Sequence, residues 1–213
     1  NTSSNGVLAL RTFSMTGQSV SLANIEHFSV IGGSGNDKLT GANGDDVLIG
    51  NDGADVLIGS RGNDALSGGS GNDVLDANEG IDVVQGGAGD DTIYVEDGGA
   101  DAIDGGTGFD SLMLSRATTT NAISITADLA AAAGAAFSLA DGTTVAGIEN
   151  LELTTGSGDD QVSLVLGVTG TQFFNGNGGN DRATADFSSA TLAVTTNTSS
   201  NGVLALRTFS MTG

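Results

Sequence analysis

Nine aspartates recur between residues 32 and 113 at an almost constant interval: Asp37, Asp46, Asp55, Asp64, Asp73, Asp82, Asp91, Asp101 and Asp110. Carboxylates spread so evenly are not a catalytic pair, because acid–base chemistry needs two groups converging on one bond and not a long series. Their chemistry is cation binding. Between residues 32 and 113 there are 17 acidic residues against two bases, Lys38 and Arg61, a local net charge of −15. Calcium is the cation that such a tract suits, since it accepts six to eight oxygens from carboxylates and backbone carbonyls alike. Over the whole chain the formal charge is −20, which opposes binding to nucleic acid or to an anionic membrane surface.

The elements that must position these aspartates are visible as a repeat of nine. The rows read GGSGNDKLT, GANGDDVLI, GNDGADVLI, GSRGNDALS, GGSGNDVLD, ANEGIDVVQ and GGAGDDTIY, then, with Val95 taken as one extra residue, EDGGADAID and GGTGFDSLM. Every row has Gly at its fourth position, Asp at its sixth and an apolar residue at its eighth, from Leu39 to Leu112. Glycines at the first, second and fourth positions allow a tight turn that exposes its carbonyls. The carbonyl donors are then the turns containing Gly32, Gly33, Gly35, Gly41, Gly44, Gly50, Gly53, Gly59, Gly62, Gly68, Gly69, Gly71, Gly80, Gly86, Gly87, Gly89 and Gly99. The eighth residue sits in a three-residue strand and points inward. One row cannot bury it alone, so two rows form an 18-residue coil that stacks on the next as parallel sheets. Alternate rows share an edge, and an ion between each row and its same-edge neighbour gives up to seven sites for nine rows.

The pattern G-G-x-G-x-D-x-U-x resembles the nonapeptide of the RTX family, the hemolysin-type calcium-binding repeats. The resemblance implies an all-β fold, a calcium-bound parallel β-roll or β-solenoid. It implies that each ion is held by the sixth-position Asp of two same-edge rows and by carbonyls of the turn glycines, the first ion using Asp37 and Asp55. Three departures are expected to leave their sites empty or loosely held: Arg61 in the fourth row, Ala77-Asn78-Glu79 in the sixth, and the offset at Val95. A second, shorter tract contains TGSGDDQVS and GNGGNDRAT, with Asp160 and Asp181 at the sixth position and room for one further ion.

The chain divides into a lead-in β coil at 1–31, the main roll at 32–113, a calcium-poor connecting β coil at 114–154, a second tract at 155–184 and a connecting segment at 185–213. Ile25-Glu26-His27-Phe28 and Ile148-Glu149-Asn150-Leu151 introduce the two tracts in matching fashion. Within the first connector, Ile123, Ile125, Ala127 and Leu129 alternate with polar residues, as in a half-buried strand, and Ala130 to Ala136 allow a short helical turn. Val194, Leu204 and Leu206, with Leu192 and Val203, read as another irregular β coil continuing the solenoid. Residues 1–17, NTSSNGVLALRTFSMTG, recur unchanged at 197–213. A duplication made in cloning would give the same identity, but the spacing favours a native repeat of 196 residues. On wrapping, the run from Asp181 to the next Ile-Glu-His is 40 residues, close to the 38 from Asp110 to Ile148.

Other chemistries find no support. Cysteine is absent, His27 is the single histidine, and no P-loop, G-x-S-x-G elbow, H-E-x-x-H or EF-hand loop occurs. Adjacent acids such as Asp45-Asp46, Asp90-Asp91 and Asp159-Asp160 recur at the repeat period and belong to the turns. The arginines, Arg116 among them, are too scattered for a basic patch. The expected role is therefore a non-enzymatic, calcium-rigidified extender, one unit of a tandem array whose partners are neighbouring identical units. From the resemblance, the setting is a secreted, cell-surface bacterial adhesin exported by type I secretion, without nucleic-acid binding or membrane insertion. The resemblance equally admits a roll trailing a secreted enzyme or belonging to an S-layer protein.

Overall fold

The computed structural model describes residues 27–96, 99–129, 136–166, 171–188, 194–198 and 204–208. The repeated segment 1–17, the lead-in residues Ile25 and Glu26, the alanine run 130–135, Leu192 and Val203 lie outside the described residues.

Strands follow the repeat rows one by one. They are β1 (Ser29–Ile31), β2 (Lys38–Thr40), β3 (Val47–Asp52), β4 (Val56–Arg61), β5 (Ala65–Ser70), β6 (Val74–Glu79), β7 (Val83–Ala88), β8 (Thr92–Val95), β9 (Ala102–Thr107) and β10 (Ser111–Ser115). Beyond the rows come β11 (Ser124–Asp128), β12 (Phe137–Ser138), β13 (Thr144–Ala146), β14 (Asn150–Thr154), β15 (Gln161–Val165), β16 (Thr171–Asn175), β17 (Arg182–Asp186), β18 (Val194–Thr198) and β19 (Leu204–Thr208). Alternate strands pair in parallel, β1-β3-β5-β7-β9 on one side and β2-β4-β6-β8-β10 on the other, so each pair of rows is one turn of a solenoid. Leu48 pairs with Leu66 and Leu57 with Leu75, an offset of 18 residues. The eighth-position ladder Leu48, Leu57, Leu66, Leu75, Val84, Ile93, Ile103 and Leu112 is at most 3% exposed. This narrow ladder is the core of the roll.

Most row strands are six residues long, not three, because the ladder skips the first-position residue and resumes: Ile49 pairs with Ser67 and Asn51 with Gly69. The turn residues thus hydrogen-bond to their same-edge neighbours too. A fourth-position glycine such as Gly53 needs its missing side chain twice over. Its φ is +129°, and a Cβ there would lie 2.8 Å from the carbonyl oxygen of Gly35 in the row stacked against it.

The offset in the eighth row falls elsewhere than at Val95. Val95 pairs with Leu114 and is 1% exposed, occupying the first position as Ala77 does one turn earlier. Asp82 and Asp101 are then 19 residues apart in register, as are Gly80 and Gly99, so the extra residue enters between Val95 and Gly99. A turn absorbs an insertion at little cost, whereas an insertion in the strand would reverse every side chain after it.

In the first connector, Ile123, Ile125, Ala127 and Leu129 are buried as the alternation requires, and β11 opens a third parallel sheet, β11-β15-β17. The last stretch differs from a continued solenoid coil. β18 and β19 pair antiparallel, and β19 runs antiparallel to β16. Strands this close in sequence can pair antiparallel, whereas a parallel pair needs a crossover of a dozen or more residues. β12 and β13 are likewise antiparallel, while β13 joins β9 in parallel.

Candidate metal centre

Stacking brings the sixth-position aspartates into two columns, one of Asp37, Asp55, Asp73, Asp91 and Asp110 and the other of Asp46, Asp64, Asp82 and Asp101. From Asp46 to Asp110 each is at most 2% exposed. The two carboxylate oxygens have different tasks. Oδ1 accepts the backbone N–H of the preceding same-edge aspartate: Asp37 N–H to Asp55 at 2.7 Å, Asp55 to Asp73 at 2.7 Å, Asp73 to Asp91 at 2.8 Å, and Asp46 to Asp64 at 2.8 Å. Oδ2 of Asp55, Asp64, Asp73, Asp82, Asp91 and Asp110 is buried with no hydrogen-bond partner. A buried, unpartnered carboxylate oxygen is costly unless a cation meets it.

The direction of these oxygens is shared from row to row. At Gly32 a Cβ would lie 2.5 Å from Asp37 Oδ2 and 2.6 Å from the carbonyl oxygen of Gly50, the first residue of the next same-edge row. The same pairing recurs at Gly50 with Asp55 and the Gly68 carbonyl, at Gly68 with Asp73 and the Gly86 carbonyl, and at Gly86 with Asp91 and the Gly105 carbonyl. A side chain at the first position would fill the space where carboxylate and carbonyl converge. Among the described residues no group of three or more His, Cys, Asp or Glu side chains could hold a metal by itself, so backbone carbonyls must complete any site. That donor set, hard oxygens with mixed carboxylate and carbonyl character, fits calcium.

Electrostatics agree with the geometry. Burial pushes Asp82 up to about 7 and Asp91 and Asp110 up to about 6, with neighbouring carboxylates adding to the rise. Asp55, Asp64 and Asp73 are raised for the same leading reason, burial. Without a cation the columns hold several charges that the fold disfavours.

The irregular rows are accommodated within the stack. Arg61 faces outward and pairs with Glu79 one turn away at 3.2 Å, both side chains well exposed, so the two irregular residues compensate each other on the surface. The Ala77 carbonyl takes the glycine's place beside Gly59, 2.9 Å from where a Cβ would be, and Asp64 and Asp82 both keep an unpartnered Oδ2. At the start of each column, Asp37 and Asp46 use Oδ2 for the N–H of Gly33 and Ala42, at 2.6 and 2.7 Å. The second tract repeats the arrangement once: Asp160 N–H bonds Asp181 Oδ1 at 3.0 Å, and Asp160 Oδ2 is buried and unpartnered. The first position of Asp160's row is Thr155, a residue with a side chain where most rows of the main roll have glycine.

Asp101 departs most. Its Oδ2 receives Arg116 Nη2 at 2.6 Å, and the same nitrogen bonds Thr143 Oγ1 at 2.9 Å and the Gly99 carbonyl at 3.3 Å. Arg116 Nη1 bonds the Glu96 carbonyl at 2.8 Å, and Nε reaches Asp141 at 2.9 Å. Burial raises the Asp141 carboxyl, but its hydrogen bonds from Arg116 and Thr143 outweigh this and hold it below the usual range. A buried guanidinium, 4% exposed, thus partners the Oδ2 that Asp64 and Asp82 of the same column leave without one. Sequence reasoning misses Arg116 because a search for basic patches weighs arginines only as surface residues. Its signal is a single base in a connector otherwise without one.

Two further residues come out differently from their motif. Phe28 N–H bonds Asp46 Oδ1 at 2.6 Å, and Asp110 N–H bonds Glu149 Oε2 at 2.9 Å, so Phe28 and Glu149 both occupy the sixth position. The two lead-ins are therefore out of register by two residues and are not equivalent. His27 is exposed with Nδ1 3.0 Å from the Asp45 carbonyl, a turn contact. The fifth-position acids are structural as well: Asp45 and Asp90 accept the amides of Asn63 and Phe109 at 2.8 and 2.9 Å.

Comparison with curated proteins and with solved structures returns no match. The family model of the RTX calcium-binding nonapeptide repeat matches residues 31–66, 67–99 and 76–112, the rows that build the two aspartate columns. Over residues 31–112, then, the chain carries rows that match the RTX calcium-binding nonapeptide repeat and stack as a parallel β-roll.

Proposed function

We propose that the module is a calcium-dependent structural spacer, one unit of a tandem array in a secreted bacterial surface adhesin, whose fold is completed by extracellular calcium. The observation that carries this is the series of buried, unpartnered Oδ2 atoms, of which those of Asp55, Asp64, Asp73, Asp91 and Asp110 converge with a carbonyl of the next same-edge row. Asp55, Asp64, Asp73, Asp91 and Asp110, each in a row led by glycine, supply the charged oxygens, and first-position carbonyls such as those of Gly68, Ala77 and Gly86 the neutral ones. Asp101, already neutralised by Arg116, contributes only its Oδ1 bond to Asp82. When bound, calcium cancels carboxylate charge and ties each turn to its same-edge neighbour. If free calcium is ~10 times Kd, linkage contributes roughly 1.4 kcal/mol per ion, so a handful of ions rivals the stability of an ordinary domain. A chain that folds only in calcium stays threadable inside the cell and stiffens outside. No described helix is long and apolar enough to cross a membrane. The 196-residue recurrence of residues 1–17 favours an array over a single roll trailing an enzyme.

Circular dichroism tests the reading directly. In chelator the chain should be largely disordered and should gain β signal on adding millimolar calcium, with magnesium a poor substitute because of its compact octahedral shell. A fully folded protein in chelator would refute it.

A further inference from the structure

The two aspartate columns end in the same place in the fold but with opposite electrostatics. In one column the next row is the segment at Thr143: Asp101 N–H bonds Thr143 Oγ1 at 3.3 Å, and the Arg116 guanidinium sits against Asp101 Oδ2. In the other column the next row is Gly147-Ile148-Glu149. Asp110 N–H bonds Glu149 Oε2 at 2.9 Å, as each earlier aspartate bonds its successor, and the Glu149 and Asn150 amides bond the Asp110 carbonyl at 3.1 and 3.0 Å. Here no guanidinium enters. Asp110 is 0% exposed and its Oδ2 has no partner. The carbonyl oxygen of Gly147 closes on the same point beside Gly105, where a Cβ would also be 2.9 Å from Asp110 Oδ2. This is the arrangement found at Gly50 and Gly68, with Gly147 in place of the repeat glycine and Glu149 in place of the repeat aspartate.

We propose that Asp110, Glu149 and the Gly147 carbonyl form one more divalent-cation site, of the calcium class, at the end of this column and beyond the nonapeptide repeats. The site rests on the calcium reading of the columns but extends it to a segment that carries no Gly-Asp row. Two facts argue for it independently: the orphaned, buried Oδ2 of Asp110, and the contrast with Arg116, which shows what the fold does when it closes a column without an ion. The ion would also pin β14 onto β10, coupling the connector to the roll.

The test is an ion count on the full 213-residue chain by native mass spectrometry in calcium, with Glu149→Gln beside the wild type and Asp73→Asn as a control. Glu149→Gln keeps an oxygen acceptor for the Asp110 amide and removes the charge. It should bind one ion fewer than wild type, while Asp73→Asn loses ions from the middle of the column. An unchanged count in Glu149→Gln with a reduced count in Asp73→Asn would overturn this site and leave the repeat sites standing. A wild type that binds no calcium would overturn both. Should Glu149→Gln not fold, anomalous scattering from wild-type crystals grown with a lanthanide decides: a peak between Asp110 and Glu149 supports the site, and peaks in the repeat turns alone refute it.

Discussion

Asp73→Asn should change the stability of the roll with opposite sign in calcium and in chelator. Asp73 lies mid-column and 1% exposed, its Oδ1 receives the Asp55 amide at 2.7 Å, and its Oδ2 has no partner. Asparagine keeps the first bond. It replaces the second oxygen with an amide that faces the Gly86 carbonyl, an acceptor 2.6 Å from the same point beside Gly68. In calcium, the substitution removes a charged ligand from the ions on either side. At ~10 times Kd each ion is worth roughly 1.4 kcal/mol, so losing both costs about 3 kcal/mol. In chelator, burial has raised the Asp73 carboxyl above its ordinary range, so the metal-free fold carries a disfavoured charge that asparagine lacks. The metal-free roll should therefore gain stability. Urea unfolding in calcium measures the first effect, and the midpoint of folding induced by trimethylamine N-oxide in chelator measures the second. Loss of stability under both conditions would refute the division of labour between Oδ1 and Oδ2.

The same raised carboxyls set a pH dependence. For Asp82, Asp91 and Asp110, raised to about 7, 6 and 6, stability of the metal-free roll is fully present below the ordinary Asp range and is lost as pH rises through 6 to 7. Less osmolyte should then fold the protein in chelator at pH 5 than at pH 8, whereas the calcium midpoint should worsen as pH falls and protons compete. Arg116→Met breaks a buried ion pair and should cost about 3–5 kcal/mol with and without calcium, with no sign change between the two conditions. Tandem copies of the unit should lengthen nearly in proportion in small-angle scattering with calcium, each 196 residues adding at most roughly 50 Å at ~4.8 Å per coil. A maximum dimension that does not grow with copy number would remove the extender reading.

A local repeat of nine is enough to determine the roll. Each row contains its own turn, its inward residue and its carboxylate, and stacking needs only that identical rows meet. The 18-residue offset, the buried ladder from Leu48 to Leu112 and the pairing of Asp55 with Asp73 follow from periodicity alone. The half-buried strand at Ile123 to Leu129 is legible for the same reason, since an alternating pattern names its own buried face. What the periodicity cannot contain is how the columns end. Asp101 meets Arg116 across 15 residues and Thr143 across 42, and Asp110 meets Glu149 across 39. Those contacts depend on where a connector of irregular length returns to the stack, and no repeat unit encodes that return. The two lead-ins, alike in letters, enter two residues out of register for the same reason, and the hairpin of β18 and β19 reads in sequence as a coil because alternation does not reveal strand direction. Which oxygen of each aspartate is spent on a backbone amide, and which is left for a cation, is likewise decided only when the rows are stacked.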